Sequence, residues 1–419
     1  MAEFPSLTQK RDARAPVLWS PFMLMSYWLV GASLLYLLGW SDLFVALRSD
    51  TIGFMVIVAL IFVVLAVRHP VPTIRQAADP LRLGVPLLFT AYFVGAFVKN
   101  NGVPIIQILQ GVEYDIYGFG LDGLHVFMLC LSGYYGVRAF RHFLESGRWG
   151  SLAVTIWVFV LFIAIVNRSA PSFLAFACAL VYLYVRGITL TGFAVIVLLG
   201  LCFAYLFGVV GDFRLSHQIE AATGVPGRSD AVVQLARATP AFLDSGLSTS
   251  WLWAYMYFVS PIANLNAAFA AAGGRICGIS CNIDSVVVHE LMPDSIGSRI
   301  GAAFDIGDVD KASFLIAPDI TASTTFGSPV GGAGMIGGTV MLLVLVVVSV
   351  MAVRLLAGTA VEIEGLALLG TLVFFSFFEN MISYTSLSGQ LIIALVCSQS
   401  ARIRTVLVSL SSRSKAVVA

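Results

Sequence analysis

Apolar residues run through this chain in long blocks, without the short alternating or one-sided patterns of a water-soluble domain. Windows of nearly unbroken apolar character fall at about 22–40, 51–67, 81–98, 121–138, 151–167, 170–186 and 188–210, and again at about 335–355, 364–382 and 386–400. A helix needs about 20 apolar residues to cross the hydrocarbon core of a bilayer. Each block therefore predicts one helical span, and together they predict an all-α, polytopic integral-membrane bundle of about ten transmembrane helices. The spans divide the chain into three parts: a seven-span region over 1–210, a long polar stretch over 211–334, and a three-span region with a tail over 335–419.

Composition agrees with the pattern. Of 419 residues, 59% are hydrophobic and only 11% charged, and the mean hydropathy is +0.93. A soluble domain carries roughly a quarter charged residues, so the solvent for most of this chain is lipid. The net charge of +1 excludes a strong polycation, and no feature points to nucleic acid. At the N-terminus, Lys10, Arg11 and Arg14 precede the first apolar run as in a signal peptide. The run is too long for one, and no small-x-small cleavage site follows it, so the reading is an uncleaved first span.

Lys and Arg in the short connections set the expected orientation. With the N-terminus in the cytoplasm, fifteen basic residues lie inside and only three, Arg48, Lys99 and Arg168, fall in short outer connections. The remaining six lie in the long stretch, which this bias puts outside. In a bacterial inner membrane it becomes a large periplasmic loop, with both termini cytoplasmic. Within it, 249–271 is dense in aromatics: Trp251, Trp253, Tyr255, Tyr257 and Phe258. Amphipathic rings favour the headgroup level, so this segment is expected to be interfacial or re-entrant. An ordinary span is the alternative, but it would move the basic C-terminal tail outside. A second outer segment, 100–122, carries Glu113, Asp115 and Asp122.

Candidate chemistry gathers at the outer surface. Arg168 sits in the tight turn Asn167-Arg168-Ser169-Ala170, and Arg214 lies four residues past the seventh span. Two guanidiniums at one mouth suit the oxygens of a diphosphate. Alternatively, Arg168 snorkels to water and Arg214 pairs with Asp212 or Glu220. The loop holds six basic and eleven acidic residues, a net of −5, so it does not attract anions at large and any phosphate must be held by particular arginines. For proton transfer the loop offers His289 and Glu290, either of which suits a base near neutral pH. His217 reads better as a surface residue.

No metal-ligand motif stands out, and no cofactor is expected. The run Gly332-Ala333-Gly334-Met335-Ile336-Gly337 matches a dinucleotide fingerprint in letters only, since it leads into a span and follows no strand. Gly334 and Gly338, four apart, suit close helix packing instead. Cys277 and Cys281 lie in the outer loop, where an oxidising compartment allows a disulfide.

In order along the chain, four features resemble Wzy-type O-antigen polymerases, the oligosaccharide repeat-unit polymerases. They are Asn167-Arg168-Ser169-Ala170 before a span, Gly211-Asp212-Phe213-Arg214 after one, Tyr257-Phe258-Val259-Ser260-Pro261-Ile262-Ala263-Asn264-Leu265, and Thr325-Phe326 ahead of Gly334-Met335-Ile336-Gly337. The resemblance covers roughly 150–345. It implies a GT-C-like, metal-independent inverting glycosyltransferase that moves a growing glycan from undecaprenyl diphosphate to a lipid-linked repeat unit. On that resemblance Arg168 and Arg214 bind the diphosphate, and Tyr257, Ser260 and Asn264 shape the site beneath the loop. Such enzymes generally work beside a flippase and a chain-length regulator.

Two rival readings share the architecture. An O-antigen ligase passes the finished glycan to lipid A-core. A non-enzymatic transporter of lipid-linked saccharides concentrates ionisable groups at mid-membrane, where this sequence places chiefly His125 and Glu379.

Overall fold

The computed structural model of the protein describes residues 17–71, 81–110, 118–167, 169–187, 190–223, 231–273, 282–317 and 320–400; at 190, 193, 196, 199, 203 and 214–223 it describes the backbone alone. Among the described residues the secondary structure is helical throughout, apart from one isolated bridge between Ser41 and Ala238.

Every apolar window of the sequence falls on a helix. The long ones are α1 (Met23–Tyr36), α2 (Ser49–Arg68), α3 (Gly84–Lys99), α5 (Leu124–Ser146), α6 (Trp149–Ala164), α7 (Ser169–Arg186), α8 (Leu190–Thr223), α14 (Gly327–Leu356), α15 (Glu362–Phe375) and α16 (385–400). Between them lie α4 (Pro104–Leu109), α9 (Ala231–Leu235), α10 (Pro240–Leu243), α11 (Thr249–Ala272), α12 (Ile283–Ser285) and α13 (Asp294–Phe304). Among the described residues three helices, α2, α7 and α14, are long and apolar enough to cross a membrane by length and composition.

The exposed face of α2 shows why lipid is the solvent. Phe54, Met55, Val58, Phe62 and Ala66 pack inward, while Ile52, Val56, Ile57, Leu60, Val63, Val64 and Val67 lie open on the other side. An open apolar face of that length does not persist in water, because burying it is strongly favourable. The protein is an all-helical membrane protein.

Two groups of helices meet at α15. In one, α11 packs on α8, α14, α1 and α2; in the other, α5 packs on α3, α6 and α7, and α15 touches α1, α5, α7 and α14. Aromatic rings fill the junction. Trp28 of α1 stacks on Phe377 at 5.0 Å and on Phe258 of α11 at 5.2 Å, and it meets Phe374 and Phe378 at 5.1 and 4.9 Å.

The link between α1 and α2 runs along α11. Tyr255 meets the Trp40 and Phe44 rings, and Asn266, about three turns further on, accepts from the Arg48 amide and the Thr51 hydroxyl. A helix antiparallel to α1 and α2 would reach that link at one end only, so α11 lies across the hairpin's tip. Close approach sets its other contact. A Cβ on Gly208 would strike the Ser250 carbonyl and one on Gly211 the Trp253 ring, so α8 meets α11 backbone to backbone.

Two boundaries differ from the sequence reading. Helix α8 continues through Gly211-Asp212-Phe213-Arg214, so the long loop begins as helix and not as coil. Helix α14 starts at Gly327 and breaks at Ala333 and Gly334, where Gly334 takes φ +61° and ψ −148°. Gly334 is therefore a kink residue, because only glycine adopts that backbone without strain. Gly338 does pack closely, on Val330 and the Phe54 ring, as the spacing suggested.

Candidate active site between loop and bundle

The loop folds back onto the turn that follows α15, and a cavity of about 390 Å³ lies between them. Its loop wall comes from the end of a π-helical turn, Val286–Glu290, then α13, and then the segment 308–311. Its bundle wall comes from residues 379–384, which leave the helix right after α15. Backbone bonds stitch the walls together: Thr325 N to Ser376 O and Asp294 N to Ser383 O, each 2.8 Å. The Ser295 amide also donates to the Thr385 hydroxyl at 3.2 Å.

Glu290 is the buried acid of the cavity, 4% exposed. Asn380 donates to its Oε2 at 2.9 Å and to its backbone carbonyl at 2.5 Å. Burial pushes the carboxyl above the usual carboxylate range, because leaving water costs the charged form most. The Lys311 ammonium, Asn380 and Ser328 pull it back down, and Glu379 adds to the rise.

Lys311 stands at the mouth, 3.8 Å from Glu290 Oε1 and 3.9 Å from Glu379 Oε1. Both separations exceed a hydrogen bond, so the ammonium acts through its charge. Asp294 opens to the cavity and is exposed by area, yet atoms crowd its carboxyl from the concave wall behind it. That crowding raises it to about 6, and the charges of Glu379 and Glu290 add to the effect, against a hydrogen bond from Ser383 and the charge of Lys311.

His289, the neighbour of Glu290, is differently engaged. Its Nδ1 lies 2.9 Å from Asp308 Oδ1 and its Nε2 3.0 Å from the Ile306 carbonyl oxygen. Both ring nitrogens are therefore engaged, one by a carboxylate and one by a backbone carbonyl. In this geometry His289 clamps the 305–308 segment to the π-helical turn and has no free lone pair facing the cavity. Its ring also fills the space where a side chain on Gly301 would stand.

The remaining residues singled out in the sequence fall in three places. Asn264 is fully buried and holds the loop: it donates to the Ile320 and Ala322 carbonyls at 3.0 and 2.7 Å and accepts from the Ile316 amide at 2.9 Å. Ser260 is buried on the same helix, and Tyr257 packs edge-on against Phe207 at 4.7 Å. Of the three, Asn264 holds the loop from below, and none of them lines the acidic cavity. Arg168, Cys277 and Cys281 lie outside the described residues, as does the side chain of Arg214. Ser169, next to Arg168, does reach the site: its hydroxyl lies 2.6 Å from that of Tyr384, which lines the cavity.

Asp294, Lys311, Glu379, Asn380 and Tyr384 are cavity residues that the sequence reading did not assign to the site. One signal pointed to them. Glu379-Asn380 interrupts the apolar run Phe374-Phe375-Ser376-Phe377-Phe378, and polar residues inside an apolar window have a function more often than not. Glu379 lies in the turn beyond α15, which ends at Phe375.

An apolar groove of about 610 Å³ opens at the same aromatic junction, lined by Leu24, Tyr27, Trp28, Gly31, Leu34 and Phe374 among others. Phe374 belongs to this groove and Glu379 to the acidic cavity, so four residues of chain lie between the two. No family model, curated protein or solved structure matches the chain.

Proposed function

We propose that this protein is a bacterial surface-polysaccharide polymerase of the integral-membrane type. It transfers a growing glycan from undecaprenyl diphosphate to a lipid-linked repeat unit at the periplasmic face of the inner membrane. One observation carries the reading: an acid-lined polar cavity and an open apolar groove share the short segment from Phe374 to Tyr384. A substrate with a long hydrocarbon tail and a polar glycan needs those two surfaces side by side. The resemblance in motif order to Wzy-type enzymes supports the same class.

In this reading ten helices span the membrane and the loop lies outside. The excess of fifteen basic residues over three in the short connections supports that orientation. The lie of α11 across the tip of the α1–α2 hairpin supports an interfacial or re-entrant helix over an eleventh span.

The chemistry follows from the residue types. An acceptor hydroxyl attacks the anomeric carbon of the donor, the new carbon–oxygen bond forms with inversion, and the bond to undecaprenyl diphosphate breaks. Glu290 takes the hydroxyl proton: it is buried, and burial raises its affinity for a proton above that of an ordinary carboxylate, the direction a general base requires. Arg168 and Arg214 hold the diphosphate and offset the charge that grows on it. His289 keeps the loop wall in place.

Deletion of the gene tests the class. A polymerase loss leaves surface glycan of core plus one repeat unit, whereas bare core with accumulated lipid-linked polymer would mark a ligase. Glu290→Gln tests the base, with an expected loss of about 10²–10⁴-fold in rate. An E290Q protein that still builds wild-type chains would refute the assignment.

A further inference from the structure

Asn380 has every polar atom of its side chain committed. Its Nδ2 donates to the Glu290 backbone carbonyl and to Glu290 Oε2, at 2.5 and 2.9 Å. Its Oδ1 accepts from the Thr325 hydroxyl at 3.2 Å and from the Ile382 amide at 3.1 Å. The Ile382 N–H can only donate, so it fixes which end of the amide is oxygen without reference to Glu290. A flipped amide would set NH₂ against N–H and oxygen against two acceptors. The backbone carbonyl of Asn380 is also tied, to the Ser383 hydroxyl at 3.1 Å and the Tyr384 amide at 3.2 Å. The side chain is 5% exposed, so water does not compete for these bonds.

We infer that Asn380 is the positioning residue for Glu290: its rigid amide pins Oε2 and leaves Oε1, on the Lys311 side, as the oxygen that receives the proton. The inference rests on Glu290 being the base. A carboxylate with Oε2 held by Asn380 and Oε1 turned toward Lys311 and the cavity presents an oriented lone pair, which proton transfer at a fixed substrate hydroxyl requires. The residue type is demanded by the chemistry. Aspartate is nearly isosteric but would face two acceptors with an acceptor, and leucine would leave the Glu290 carbonyl and Oε2 without a donor in a buried place. The same bond favours the ionised carboxylate, so the amide also sets the pH at which the base becomes available.

The test uses the full-length protein in lipid nanodiscs and the lipid-linked repeat unit extracted from cells that lack the gene. Asn380→Asp should move the acidic limb of the kcat profile upward by about one pH unit or more, because a second carboxylate beside Glu290 raises its pKa. KM should change little. A merely structural role would lower activity at all pH values without moving the limb. Carbodiimide coupling of Glu290 to an amine, followed by peptide mass spectrometry, reads the protonated carboxyl even in an inactive protein, and its midpoint should shift in the same direction. If N380D does not fold, Thr325→Val, which frees one side of the amide, should give a smaller shift of the same sign. An unmoved limb and an unmoved labelling midpoint overturn the inference. Activity retained in E290Q overturns the base itself, whereas an inactive E290Q with an unshifted N380D overturns only the role of Asn380.

Discussion

Arg141 and Glu364 allow a quantitative test of how the bundle is held. Among the described residues Arg141 is the largest fully buried side chain, at 1% exposure, and Glu364 shows none. Arg141 Nη1 donates to Glu364 Oε2 at 2.5 Å and to the Ala360 carbonyl at 2.7 Å, and Nε donates to Glu145 Oε1 at 2.8 Å. The pair ties α5 to the start of α15, and α15 carries the turn that forms one wall of the cavity. Arg141→Met keeps much of the stem's packing and removes the cation. Glu145 has access to water, at 19% exposure, but Glu364 does not; it loses its hydrogen-bonded cation and keeps only the charge of Arg138. Breaking a buried pair from one side costs about 3–5 kcal/mol. At about 2 °C per kcal/mol, the low end for large domains, R141M should lower the Tm by ~6–10 °C. The double variant R141M/E364L removes both charges and should recover most of that loss, since apolar replacement of a whole buried pair is near neutral or stabilising. Thermal unfolding in detergent, followed by tryptophan fluorescence, measures both. A double variant as unstable as R141M would refute the reasoning and assign the loss to packing of the arginine stem.

Arg214→Ala should abolish polymer while the protein still inserts, and Arg214→Lys should be badly impaired because an ammonium lacks the bidentate fork; glycan gels of complemented cells read both. Gly334→Ala should destabilise by about 1–3 kcal/mol, since the φ of +61° and ψ of −148° suit no residue with a Cβ, and a thermal midpoint within error of wild type would count against the kink. Asp294 is raised from its ordinary 3.8 to about 6, so the folded state holds its proton more tightly than the unfolded state does. Its favourable contribution is therefore complete below about pH 3.8 and lost as pH rises to about 6. Wild-type stability relative to Asp294→Asn should fall over that interval and stay level above it, as a pH series of unfolding midpoints would record.

Each apolar block of the sequence is a helix in the fold, because a long apolar run leaves its backbone no partner but itself once water is gone. Glycine spacing was legible at Gly338. It misled at Gly334, where the same letters mark a break in α14, since spacing does not encode backbone angles. Of the site, Glu290 was legible because a carboxylate in a polar loop beside a histidine is a natural base candidate. The different roles of Glu290 and His289 were not legible. They are adjacent in sequence, and only the return of the 305–308 segment onto His289 and of Asn380 onto Glu290 separates a clamp from a cavity-facing acid.

By itself, then, the sequence determined the all-helical membrane class, the positions of the long helices and a polar stretch between two apolar regions. These follow from periodicity and transfer energies, which are local properties of the chain. Tertiary structure alone decided that α11 crosses the hairpin tip, that Glu379 and Asn380 leave α15 to meet the loop, and that Lys311 stands between Glu290 and Glu379. Those placements join residues 21 to 218 positions apart, and no local propensity specifies a contact over such distances. They arise where the loop finds donors and acceptors on the bundle for polar groups that would otherwise be buried without partners.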